Sequence, residues 1–146
     1  MSCIRAKDIM HPRVSLQAKE KGQELVKKMM CGYPGLPVVN DNSEVIGVVT
    51  ESDVLAAVIE GRTIHEFDAE TIMTCGHSEH NVCAAPVTVT ADAPIEDIVG
   101  LMHEQGLSVL PVVDGKRLIG IISRKNIINA LAEQGFWHEH EFKKRV

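Results

Sequence analysis

Val45-Ile46-Gly47-Val48-Val49-Thr50-Glu51-Ser52-Asp53 returns later in the chain as Leu118-Ile119-Gly120-Ile121-Ile122-Ser123-Arg124-Lys125-Asn126. The two stretches lie 73 residues apart and share a β-rich apolar run, a glycine, a hydroxyl residue and an Asp or Asn three positions on. Working outward, Leu36-Pro37-Val38-Val39 returns as Leu110-Pro111-Val112-Val113, and Asp8-Ile9-Met10 returns as Thr71-Ile72-Met73. The offsets are 74 residues for the first pair and 63 for the second, which places an insertion between Met73 and Val87 in the second copy. Three matches in one order mark a duplication, and a duplication governs the whole fold.

Both copies carry the same periodicities. A short extended piece (Val14 to Leu16; Val87 to Val89) precedes a helical pattern. In the first copy that pattern is Ala18, Gly22, Leu25, Val26, Met29 and Met30. In the second it is Ile95, Ile98, Val99 and Met102, with Asp92 as the expected cap and Pro94 in the first turn. Two β-rich runs follow, joined by Asn40-Asp41-Asn42-Ser43 in one copy and by Asp114-Gly115 in the other. A second helix closes each copy. It runs through Val54, Leu55, Val58 and Ile59 to Gly61, and through Ile127, Ile128 and Leu131 to Gly135. The expected fold is therefore α/β (α+β), with the order β-α-β-β-α twice. The repeats are taken as residues 1–66 and 67–146. One copy alone buries little, so the two are expected to pack sheet to sheet about a pseudo-two-fold, with helices outside.

Composition narrows the function. The chain has 146 residues, 45% of them hydrophobic and 24% charged, which suits an ordinary globular protein. Only five residues are aromatic, so the core must be aliphatic. A net charge of -5 opposes general affinity for nucleic acid, which needs Lys and Arg to neutralise phosphates. No apolar run approaches the roughly 20 residues of a membrane span, and the first residues lack the apolar stretch of a signal peptide. A cytoplasmic protein is expected, with Cys3, Cys31, Cys75 and Cys83 reduced.

Chemistry concentrates where the repeated strand meets its helix. A helix N-terminus presents free N–H groups and the positive end of the dipole, which suits a phosphate. The Thr50 hydroxyl is a further donor. Asp53, one turn on, can accept hydrogen bonds from two ribose hydroxyls but would repel a phosphate. The spacing thus orients a nucleotide with ribose at Asp53 and phosphate at Thr50. A second reading stays open: Thr50 or Ser52 is a helix N-cap, and Asp53 is a first-turn acid favoured by the dipole.

The duplicated pattern resembles the CBS domain, named after cystathionine β-synthase, in its tandem form, the Bateman module. The resemblance runs from about Lys7 to about Gly135. Its most specific element is Gly-h-h-Thr/Ser-x-x-Asp, intact at Gly47 to Asp53 and altered at Gly120 to Asn126. It implies a regulatory module with no catalysis of its own, holding an adenine nucleotide (AMP, ADP, ATP or a related adenosyl ligand) between the repeats and signalling to an effector protein in trans. It also implies the residues. One site takes Thr50, Ser52, Asp53, Pro34 and Gly35 from the first copy, with Val87, Leu107 and Ser108 from the second. The pseudo-equivalent site takes Ser123, Lys125, Asn126, Ser108 and Val109, with Val14, Tyr33 and Pro34 from the first. Asn126 offers ribose no charge, so that site is expected to be weaker. Arg124, Lys125, Lys116 and Arg117 make the second half basic, which suits either a polyphosphate or a solvated face.

Three alternatives stand beside this one. Catalysis is the first, but no Ser-His-Asp set, glycine-rich phosphate loop or paired-carboxylate cleft can be named from the sequence. The insertion holds Cys75, His77, His80 and Cys83, a possible tetrahedral zinc set for a metal or redox sensor, although the spacing matches no standard finger. A polar surface loop is the plainer account of it. His138 and His140 lie in the tail, as at a frayed helix end. A module without ligand that serves only for interaction or dimerisation is the third. The apolar stripes of the two closing helices, wide for a thin domain, point to a homodimer, which the resemblance also implies. The same residues would otherwise be internal core.

Overall fold

The β-branched runs on either side of Asn40–Ser43 and of Gly115-Lys116 pair as antiparallel hairpins. β3 (Gly35–Val39) meets β4 (Val45–Thr50), and β6 (Val109–Asp114) meets β7 (Arg117–Ser123). The computed structural model describes residues 4–74 and 86–133. Asn40 Oδ1 accepts from the N–H groups of Asn42 at 2.9 Å and Glu44 at 3.0 Å, which closes the first turn. Gly115, at φ +67°, supplies the left-handed residue of the second. Each hairpin carries a bulge at the same repeat position, between Val38 and Val39 and between Val112 and Val113.

A third strand joins each hairpin in parallel: β2 (Leu16–Gln17) beside β3, and β5 (Val89–Thr90) beside β6. The crossover is α2 (Gly22–Met29) in the first copy and α5 (Ile95–Gln105) in the second. Each copy ends in a helix, α3 (Glu51–Ile59) or α6 (Arg124–Glu133). The expected order β-α-β-β-α is present twice. Asp92, however, is not the cap of α5. Pro94 is the N-cap residue, with no side-chain cap bond, and Asp92 instead pairs with Lys7 at 3.3 Å while its carbonyl accepts from Arg5 Nη1 at 2.7 Å. A lead-in segment from the other copy has taken it.

That segment carries one short helix per copy beyond the expected order: α1 (Ala6–Ile9) in the first and α4 (Ala69–Ile72) in the second. Each docks on the opposite copy. Ala6 N–H donates to Ala93 O at 2.8 Å, Lys7 N–H to Ala91 O at 3.0 Å, and Ile95 N–H to Ile4 O at 3.0 Å. The same three bonds recur one repeat away, as Ala69 to Glu20, Glu70 to Ala18 and Gly22 to Phe67, each at 2.9 Å. β1 (His11–Pro12) then adds to the edge of β7, and Thr74 bridges to Val48 at the matching edge of β4. Beside α4, the Lys19 ammonium pairs with Glu70 at 2.7 Å, which raises its pKa, but both groups stand in water.

Two aliphatic cores result. One joins Ile4 and Ala6 to Ile95, Ile98, Leu110, Val112, Ile122 and Ile127. The other joins Leu16, Leu25, Leu36, Val38 and Val49 to Ala69 and to Val109, Leu118 and Ile121 from the second sheet. The two sheets thus share core residues and exchange lead-in segments, and the strand-to-helix turn of each copy borders a hollow that the other copy helps to line.

Candidate functional site

β4 ends at Thr50 because Thr50 caps the next helix. Its backbone is extended (φ -111°, ψ 169°), and its Oγ1 accepts from the Asp53 N–H at 3.4 Å. Asp53 closes the reciprocal half, with Oδ2 accepting from Thr50 N–H at 2.8 Å and from the Thr50 hydroxyl at 3.0 Å. Glu51 N–H donates to Pro34 O at 3.2 Å, which ties the turn to the start of β3. The capping reading of Thr50 and Asp53 therefore describes this structure. Thr50 directs its hydroxyl proton to Asp53, where the sequence suggested a phosphate donor.

Capping leaves the other carboxylate oxygen facing outward. Thr74, from the second copy, donates its hydroxyl to Asp53 Oδ1 at 2.6 Å. Oδ2 thus holds two protein donors, both from Thr50, while Oδ1 holds one and keeps acceptor capacity for another. The carboxylate is half-buried and oriented from two sides.

This turn forms one wall of a cleft of about 510 Å³. Of the residues assigned to the site from sequence, Pro34, Thr50, Ser52, Asp53, Val87, Leu107 and Ser108 all line it. Gly35 does not. It is buried beneath, where an added Cβ would lie 2.9 Å from Val109 Cγ1 and 3.1 Å from Val49 O. Its role is to let the two sheets approach. Thr74, Glu51 and Gln105 line the cleft and were not assigned from sequence. The signal for Thr74 was positional: it follows the repeated Thr71-Ile72-Met73, one step beyond where the comparison stopped.

The pseudo-equivalent place is smaller, a hollow of about 180 Å³ lined by Tyr33, Pro34, Val109, Ser123 and Asn126, with His11, Cys31, Gly32 and Ile121. Asn126 reproduces the capping geometry, its Oδ1 accepting from Ser123 N–H at 2.9 Å and from the Ser123 hydroxyl at 3.0 Å. Where Thr74 stands in the first site, His11 stands here, edge-on to Tyr33 with ring centroids 5.5 Å apart. Lys125 is exposed and outside this lining, Ser108 faces the larger cleft, and Val14 packs on the first core. Arg124 Nε donates to Leu107 O at 3.0 Å.

Cys75, His77, His80 and Cys83, and the tail residues His138 and His140, lie outside the described residues. Among the described residues, no group of three or more His, Cys, Asp or Glu is placed to hold a metal, and no helix is long and apolar enough to cross a membrane.

The sequence profile of the CBS domain matches this chain twice, over residues 6–60 and 81–133. The chain belongs to the CBS-domain family. An uncharacterized protein of Methanocaldococcus jannaschii is 35% identical over 102 residues, which are 67% of this chain and 24% of that one. The chloroplastic CBS domain-containing protein CBSX2 of Arabidopsis thaliana is 30% identical over 149 residues, 84% of this chain and 61% of that one. The chain spans less than two thirds of either relative's length. The crystal structure of CBSX2 in complex with AMP matches with a TM-score of 0.72 at 25% identity, covering 90% of this chain and 98% of that one. The CBS pair of protein MJ0100, in complex with 5′-methylthioadenosine and S-adenosyl-L-methionine, matches with a TM-score of 0.72 at 23% identity, covering 91% and 99%.

Proposed function

We propose that this CBS pair is a cytoplasmic regulatory module that holds an adenosyl ligand, an adenine nucleotide or a related compound, in the Asp53 cleft and performs no catalysis of its own. The observation that carries this is the cleft itself. Its walls come from both copies, its volume of about 510 Å³ falls within the roughly 300–1,000 Å³ of small-molecule sites, and an oriented carboxylate stands at its edge. Asp53 accepts from one ribose hydroxyl with the acceptor capacity that Thr74 leaves at Oδ1, and from the second once the Thr50 hydroxyl turns away from Oδ2. The base lies among Pro34, Val87, Leu107 and Val109. That CBSX2 was crystallised with AMP supports the same class of ligand.

The signal leaves through the closing helices. On α3, Leu55, Val58 and Ile59 are 62%, 57% and 85% exposed, and on α6 Ile128 is 52% exposed. Val54, Ile127 and Leu131 face inward, so the stripe is in part core and in part unpartnered. Two copies of this chain pairing through it form a closed two-fold dimer, and a ligand that moves α3 shifts that pairing for an effector to sense. A thermal-shift panel tests the ligand class. An adenosine compound at 100 times its Kd adds about 2.7 kcal/mol of stability, whereas its guanosine counterpart leaves the transition unmoved. A panel in which no adenosine compound shifts the transition leaves the interaction module without ligand as the account.

A further inference from the structure

We infer that the Asp53 cleft selects an adenosine derivative whose 5′ substituent carries no net negative charge, an adenosyl thioether or sulfonium rather than a nucleotide phosphate. This rests on the reading that Asp53 holds ribose, and it fixes what lies beyond the ribose. With ribose at Asp53, the 5′ substituent points to the preceding turn of chain, Thr50 to Ser52.

That turn is poorly made for a phosphate. The charged groups among the described residues of the cleft lining are Glu51 and Asp53, both acidic. An anionic substituent there meets two carboxylates, the half-buried Asp53 and the exposed Glu51, and is repelled by both, the more so at low salt. Three of the donors at this helix start are also engaged. Glu51 N–H donates to Pro34 O at 3.2 Å, Asp53 N–H to Thr50 Oγ1 at 3.4 Å, and the Thr50 hydroxyl to Asp53 Oδ2 at 3.0 Å. Arg124 donates by Nε to the carbonyl of Leu107 and is not part of the lining.

The other copy supplies the contrast. One repeat on, Glu51-Ser52-Asp53 becomes Arg124-Lys125-Asn126, two cations and a neutral amide at the same helix start. The same backbone therefore carries opposite charge in its two copies, and the acidic version borders the larger cleft. Selectivity by an unfavourable charge for the wrong ligand is a common route to discrimination.

The test is calorimetric titration of the full chain, in chelator and at low salt, with 5′-methylthioadenosine, S-adenosylmethionine, AMP and ATP. The thioether and the sulfonium should bind at least about tenfold more tightly than either phosphate. Glu51→Gln should narrow that gap, and added salt should improve AMP binding by screening the repulsion. AMP or ATP binding as tightly as the thioether, or a gap that Glu51→Gln leaves unchanged, would overturn the charge selection while leaving the adenosyl site standing. Failure of all four ligands to bind would overturn both.

Discussion

Thr74 donates its hydroxyl to Asp53 Oδ1 at 2.6 Å, so the carboxylate at the mouth of the first copy's helix is held by a residue of the second. The contact fixes the rotamer of Asp53 together with the capping bonds from Thr50. Thr74→Val removes the hydroxyl with little change of shape. The expected outcome is weaker ligand binding by about 0.5–1.5 kcal/mol, the net worth of one hydrogen bond, with Thr74→Ser restoring it. Calorimetry on the three proteins checks this, and equal affinities would show that Asp53 is oriented by its cap alone.

Gly47 and Gly120 are fixed by the lead-in methionines. A Cβ on Gly47 would lie 2.6 Å from Met73 Sδ and 3.1 Å from Thr74 O, and one on Gly120 2.5 Å from Met10 Sδ and 3.0 Å from His11 O. Gly100, inside α5, has nothing within 4 Å of its would-be Cβ. Gly47→Ala should therefore destabilise by about 1–3 kcal/mol through overpacking. Gly100→Ala should stabilise by about 0.5–1 kcal/mol through helix propensity. Urea denaturation separates the two, and a neutral Gly47→Ala would mean that the lead-in segment yields freely.

The two sites should be unequal. The second hollow is about 180 Å³ against about 510 Å³, and Asn126 stands where the first copy has the Asp53 carboxylate proposed to hold ribose. One ligand per chain is expected in titration at moderate concentration. Asn126→Asp should tighten any second binding step, and two equal sites in the wild type would contradict the asymmetry.

The exposed stripe of Leu55, Val58, Ile59 and Ile128 should pair two chains. Sedimentation at micromolar protein should show a dimer that Leu55→Glu or Ile128→Glu splits while the circular dichroism of the fold is kept. A monomer in the wild type, with and without ligand, would leave those residues exposed for another partner.

Most of the fold was legible because duplication states it twice. Strand and helix periodicities in one copy checked those in the other. The packing of the lead-in methionines against Gly47 and Gly120 was not legible. The exchange of lead-in segments is written in backbone bonds such as Ala6 to Ala93, which leave no mark in residue type. The same exchange displaced Asp92 from its expected cap. In the site, Pro34, Thr50, Ser52, Asp53, Val87, Leu107 and Ser108 were assigned from the motif and the family resemblance together. Thr74 was missed because its counterpart is His11, and two unlike side chains at one repeat position carry no pattern. That the Thr50 hydroxyl turns to Asp53 is a choice of rotamer, which sequence does not express.

Asp53 is where the account can be tested most directly. Asp53→Ala also removes the reciprocal half of the capping box of α3, so Asp53→Asn is the cleaner variant. Asn126 already closes the same capping box in the second copy through its Oδ1, so the fold should persist. Calorimetric titration of an adenosine compound into the wild type and both variants is the measurement. The wild type should bind, and each variant should lose roughly 1.5–3 kcal/mol, the range for a charge-assisted hydrogen bond, with the fold retained. Wild-type affinity in a folded Asp53→Asn protein would contradict the assignment of ribose to Asp53.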